Sequence, residues 1–226
     1  HVRSRRQRQM CIRDSFWMWI VALLGMATSF MESTLAQIFK VKGKDGLSHG
    51  GPAYYIERGL GSRTWGVIFA ALLVFSYGLI FPMVQSNTIA QQFKSTAGIP
   101  VWVTALVLVA ISIPIMLGGL RRVAKVTEHL VPIMAIIYLL VSLITILMNI
   151  TDLPRVFSDI FAGAFGLRAG LAGVGGGLWA TMFNGAKRGL FSNEAGQGSM
   201  PNGAATADVP HPVVQGLIQS LGTFVD

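Results

Sequence analysis

Apolar runs long enough to cross a lipid bilayer recur along this chain, over residues 16–39, 65–93, 101–117, 126–149 and 170–188, with a sixth starting at Val213. A helix rises 1.5 Å per residue, so a hydrocarbon core about 30 Å thick takes about 20 apolar residues. The intervals between the runs hold the cations and the Gly and Pro breakers. With 52% hydrophobic and 12% charged residues and a mean hydropathy of +0.57, the chain is too apolar for an ordinary soluble domain. The expected fold class is an all-α integral membrane protein with about five complete transmembrane helices and the start of a sixth.

The net charge of +8 is unevenly placed. Arg3, Arg5, Arg6, Arg8 and Arg13 crowd the first fifteen residues, which contain no apolar core and so make no signal peptide. Residues 1–15 resemble translated sequencing-adaptor or vector sequence and are read as a non-native extension, which leaves 16–226 as the native part of the chain. The remaining cations lie between apolar runs, with no basic stripe interleaved with aromatics, so nucleic acid is excluded as a partner. Loops 40–63, 118–125 and 187–212 carry ten Lys and Arg; the opposite side has Lys94, Arg155 and Arg168. The positive-inside bias makes the first set cytoplasmic. Cys11 stands alone, which excludes an internal disulfide, and His1, His49, His129 and His211 lack ligand spacing, so no metal ligands are assigned.

Gly170, Gly173, Gly175, Gly176 and Gly177 lie within eight residues of one apolar run. Each costs a helix about 1 kcal/mol relative to Ala, so a helix weak or broken in its first half is expected there. Two readings stand. Unwound backbone inside a membrane is where secondary transporters bind solutes and ions, whereas small residues also let a neighbouring helix approach closely. In the second run, Pro82 predicts a kink, and Gln85-Ser-Asn87-Thr88 after it is costly against lipid, so these residues are expected to face the bundle interior. Glu32, about 24 Å from Phe16 along the first helix, is expected to pair with a cation such as Lys40 or to cap a neighbouring helix. Residues 150–169 and 190–212 read as polar connections, the second on the cytoplasmic side.

Enzyme motifs are absent. Gly173-Val-Gly175-Gly-Gly177 follows no strand and has Leu178 where a dinucleotide fingerprint has glycine, and neither a phosphate loop nor a nucleophile elbow is present.

Phe191-Ser-Asn-Glu-Ala-Gly-Gln-Gly-Ser-Met-Pro201, preceded by Gly185-Ala-Lys-Arg-Gly189, resembles the signature of the alanine or glycine:cation symporter family. Gly25-Met-Ala-Thr-Ser-Phe-Met-Glu-Ser-Thr-Leu-Ala36, Gly50-Gly-Pro-Ala-Tyr-Tyr-Ile56 and Val84-Gln-Ser-Asn-Thr-Ile-Ala90 carry the same resemblance, which extends from Phe16 to Asp226. It implies a leucine-transporter-like inverted-repeat bundle, with this chain supplying core helices 2 to 6 and the start of 7. It also implies symport of alanine, glycine or a similar small neutral amino acid with Na+, or with H+, into a bacterial cell across the inner (plasma) membrane. No cofactor beyond the coupling ion is implied, and the cation ligands are left unassigned because the first core helix is missing. The substrate-binding candidates are Gln85, Asn87, Gly173, Gly175, Gly176 and Gly177. Unwound glycines expose donors for a carboxylate and acceptors for an ammonium, and the Gln85 amide offers both. Beside this stands a channel or membrane scaffold, for which the glycines serve packing alone.

Overall fold

The computed structural model describes the backbone of residues 2–44, 46–165 and 170–226, and side chains within these ranges except at 2–11, 13, 120–121 and 170–178. Ten α-helices are described, with a two-stranded ribbon, β1 (Val41–Lys42) and β2 (Ser48–His49), as the one sheet. Among the described residues, Asp14–Ile38, Arg63–Ala97 and Arg122–Met148 are helical, long and apolar enough to cross a membrane, and Val101–Leu117 is apolar but shorter. The all-α membrane class is thereby established.

The chain forms two compact units, one of residues 1–74 with 154–226 and one of 75–153. The first is organised around α1 (Val2–Ile38), against which α8 (Gly170–Asn193), α9 (Met200–Thr206) and α10 (Pro212–Val225) pack. Gly25, Ser29, Ser33 and Ala36 of α1 are buried. Their spacing of four, four and three puts these small residues on one helical face, the device by which membrane helices pack without a hydrophobic drive. Register along α1 is set by close approaches. A Cβ on Gly185 would lie 2.6 Å from the Cβ of Trp17, and one on Gly25 would lie 3.1 Å from that of Ala195. Gly216 of α10 abuts Phe30 and Thr34, and Thr223 abuts Gly25. Hence α8 runs parallel to α1 and α10 runs against it.

The stretch 150–169, expected as a polar connection, contains α7 (Leu153–Ala164). Leu153, Val156, Phe157, Ile160, Phe161 and Ala164 recur at helical spacing and form an apolar stripe that a count of polar residues overlooks. Its aromatic side meets the start of the α1 span: Phe16 lies 5.5 Å from Phe161 and 5.2 Å from Phe165, centroid to centroid, and Trp17 Nε1 donates to the Ala164 carbonyl at 3.4 Å. After the ribbon, α2 (Pro52–Gly59) and α3 (Arg63–Phe75) complete this unit.

In the second unit, α4 (Phe81–Ala97), α5 (Val101–Leu117) and α6 (Gly119–Met148) follow one another, α4 packing on α5 and α5 on α6. Gly98, in the left-handed region at φ 69°, ends α4, and the Arg122 guanidinium donates to the Pro114 carbonyl at 3.1 Å across the α5–α6 turn. Pro82 is accommodated by one π-helical turn, Ser76–Ile80, immediately before α4. The wider turn absorbs the proline upstream, so the helix carrying Gln85 is regular.

Candidate functional site

The break in the helix of the glycine-rich region lies some twenty residues beyond the glycines. Contrary to expectation, α8 is continuous from Gly170 to Asn193; the helix then stops, Glu194–Ser199 are non-helical, and α9 resumes at Met200. Helix propensity is a weak prior that context overrides. Glycines 173, 175, 176 and 177 sit in that continuous first half, where only the backbone is described.

The break lies alongside the middle of the α1 span. Asn193 and Ala195 face Gly25, Gly196 faces Thr28, and the Ser29 hydroxyl lies 2.9 Å from Met200 Sδ. Residues 190–212, expected as a cytoplasmic loop, therefore hold a re-entrant element at membrane depth. The cations before it move too. Arg188 lies 3.7 Å from the buried Asp14 carboxylate, at the opposite end of α1 from Lys40. Transferring Lys187 and Arg188 to the outer side leaves eight cations against five, a bias of the same sign.

Inside a membrane, freed backbone groups need partners from protein, since water is absent. The segment supplies several itself. Asn193 Oδ1 accepts the Ala195 N–H at 3.1 Å, the Gln197 amide donates to the Leu190 carbonyl at 2.6 Å, and the Ser199 hydroxyl donates to the Glu194 carboxylate. Glu194, Gly196 and Gly198 take φ of 52°, 80° and 81°, the left-handed region. At Gly198 a side chain is also excluded by space, because a Cβ would lie 2.7 Å from the Phe69 ring and 2.9 Å from Pro52.

Helix α1 supplies the rest. The Glu32 carboxylate accepts the Gly196 N–H at 3.0 Å, so Glu32 holds the apex of the break rather than pairing with Lys40. The Lys40 ammonium donates to the Ala207 carbonyl at 3.1 Å, which the Gln37 amide also reaches at 3.0 Å while donating to Ala204. Both cap the negative end of α9. Tyr55 of α2 is half-buried close by; burial, then the Glu32 charge, pushes its phenol up to about 12.

Gln85 and Asn87 lie on α4 in the second unit, and both are exposed. Ser86 and Thr88 bond back to the Met83 and Val84 carbonyls at 3.2 and 2.8 Å. Of the four polar residues in this run, Gln85 and Asn87 alone keep their side chains uncommitted among the described residues. Sequence reasoning placed Glu194, Gly196 and Gln197 in a connecting loop and missed the helix break that they form. The available signal was the alignment of polar α1 positions, Glu32, Gln37 and Lys40, with a polar stretch followed by small apolar residues.

A helix interrupted at membrane depth and braced by a carboxylate from a neighbouring span is transporter architecture. The family model for the sodium:alanine symporter family matches residues 14–226. The chain belongs to the sodium:alanine symporter family. It is similar to the amino-acid carrier protein AlsT of Bacillus subtilis, 51% identical over 93% of this chain and 44% of the relative. It is similar also to the probable sodium/glutamine symporter GlnT of the same species, 48% identical over 93% and 43%. The sodium/alanine symporter AgcS of Methanococcus maripaludis is 39% identical over 93% and 47%. The chain thus spans less than half the length of these relatives. Family membership, with the apolar helices long enough to span a bilayer, makes it a multi-pass membrane protein.

Proposed function

We propose that the chain is part of a secondary active symporter that moves a small neutral amino acid, alanine or glycine, together with Na+ inward across the bacterial inner membrane. One observation carries this reading: the helix break at Glu194–Ser199, held beside the middle of the α1 span by Glu32. Backbone groups at such a break serve a zwitterion without intervening side chains. In the same reading the bundle is of the leucine-transporter type, with α8 and α9 as the two halves of its sixth core helix. Gln85, Asn87 and the glycines from Gly173 to Gly177 serve as further substrate contacts.

The test is uptake of labelled alanine by proteoliposomes holding the full-length protein. Accumulation driven by an imposed inward Na+ gradient, and abolished when choline replaces Na+, is the expected result. Accumulation driven by a pH gradient alone replaces Na+ with H+ as the coupling ion, and equilibration without accumulation replaces symport with a channel. The relative named as a probable sodium/glutamine symporter favours glutamine as a second substrate reading; competition of alanine uptake by excess glutamine decides between the two.

A further inference from the structure

We infer that the turn between α2 and α3, with Arg58, Leu60, Arg63 and Trp65 and the neighbouring Lys42 and Lys44, is a binding surface for anionic phospholipid headgroups of the cytoplasmic leaflet. This surface is independent of the transported solute and of the coupling ion.

The turn sits where the chain enters the bilayer. Helix α2 ends at Gly59, and Arg63 opens the apolar helix Arg63–Ala97, which is long enough to span. Packing holds the turn on two sides. A Cβ on Gly59 would lie 3.4 Å from the ring of Phe39, just past α1, and one on Gly66 would lie 2.8 Å from the Ala53 carbonyl oxygen, so the start of α3 rests on α2. Between them Gly61 takes φ 70°, the left-handed region that lets the chain reverse.

This fixed turn presents cations and apolar anchors together. Arg58 and Arg63 are exposed, and neither has an ion pair or hydrogen bond to any described residue. Lys40 and Arg122, by contrast, are spent on the carbonyls of Ala207 and Pro114. Leu60 is 79% and Trp65 65% exposed. The contact of Gly59 with Phe39 sets the turn beside the chain entering the ribbon, on which Lys42 and Lys44 are exposed as well. Over residues 40–63 five cations stand against two acids, Asp45 and Glu57.

The chemistry selects one kind of partner. A planar guanidinium grips a phosphate through paired N–H donors, and an indole at the end of a span favours the level of the headgroups. In a zwitterionic lipid the phosphate is already matched by the lipid's own cation, so a surplus of protein cations favours headgroups of net negative charge. A soluble polyanion would engage the arginines but leave Leu60 and Trp65 in water. At the bilayer surface both find apolar surroundings just below the phosphates. The charge of loop 40–63 puts it on the cytoplasmic side, so that leaflet supplies the lipid.

Tryptophan quenching of the purified full-length protein in nanodiscs tests this. Phosphatidylglycerol or phosphatidylcholine, brominated high on its acyl chains, is titrated into plain phosphatidylcholine, and Trp65 is read as the difference from Trp65→Phe. Wild type should favour phosphatidylglycerol at least about fivefold in association, the effect of a single cation near a charged surface. Arg58→Gln combined with Arg63→Gln should bring the preference within twofold of none, and Arg58→Lys combined with Arg63→Lys should keep most of it. Both leaflets of a nanodisc hold the same lipids, so an altered direction of insertion leaves the readout untouched, and unchanged helical circular dichroism guards against misfolding. Equal quenching by the two lipids in wild type overturns the surface, as does a preference that survives in the glutamine pair. A lysine pair no better than the glutamine pair removes charge as the cause. Loss of the preference to inorganic phosphate at constant ionic strength assigns the arginines to a soluble anion and overturns the lipid.

Discussion

Gln85 and Asn87 are two positions apart on a regular helix, so they point about 200° from each other and one cavity takes only one of them. The proline that might have twisted them together is absorbed upstream by the π-turn at Ser76–Ile80. Gln85→Ala in the full-length transporter should weaken alanine and glycine binding alike, by about 1 to 3 kcal/mol for an unpaired buried polar group. Asn87→Ala should cost less. Calorimetric titration checks both, and a loss confined to alanine would remove Gln85 from the backbone-recognition role. Tyr55 offers a test independent of transport. Its phenol is held up to about 12 by burial and the Glu32 charge, above the ordinary 10.0. A raised pKa favours the folded state below pH 10, and that contribution is lost as pH rises from 10 through 12. Ultraviolet titration should show a late-titrating tyrosine that disappears in Tyr55→Phe.

The broken helix is the element on which function turns, and it tolerates side chains unevenly. Gly198 combines a left-handed backbone with a Cβ direction closed by Phe69 and Pro52, whereas a Cβ on Gly203 in α9 meets nothing within 4 Å. Gly198→Ala should therefore abolish uptake and lower thermal stability, the backbone alone costing about 1 to 2 kcal/mol, while Gly203→Ala should leave both near wild type. Uptake assays paired with thermal unfolding in detergent distinguish the two. The sequence announces a broken helix near these glycines but misplaces it, for an identifiable reason. Glycine content speaks to local propensity, whereas the interruption is decided by tertiary partners: Glu32 for Gly196, Gln197 for Leu190, and Gln37 and Lys40 for the end of α9. Those partners lie far apart in sequence, the Glu32–Gly196 pair by 164 positions, and one chain read alone offers no way to join them. The apolar helices at 16–39, 65–93, 101–117 and 126–149 were legible because hydropathy is a local property; α7 was not, because its apolar residues are spread along one face.

At the scale of the molecule, the orientation makes a direct prediction. Single cysteines replacing Lys44 and Lys94 should be labelled by impermeant maleimide from opposite sides of intact cells, Lys44 from the cytoplasm. A cysteine at Arg188 separates the structure from the sequence-based expectation. Its contact with Asp14, at the start of the α1 span and away from Lys40, predicts labelling from outside. Protection of Arg188→Cys together with Lys44→Cys would return the 190–212 segment to the cytoplasmic surface and dissolve the transport site built on it.

The way α1 serves the break also bears on how such a protein is made. A nascent segment carrying Asn193, Glu194, Gln197, Ser199 and Asn202 is a poor candidate for partition into lipid, since each polar group demands a partner there. Helix α1, synthesised far earlier, already displays Glu32, Gln37 and Lys40 when the segment emerges. It therefore acts as a waiting template for insertion. A lesion at Glu32 should show first as degradation of newly made protein, before any amino acid has been offered to it.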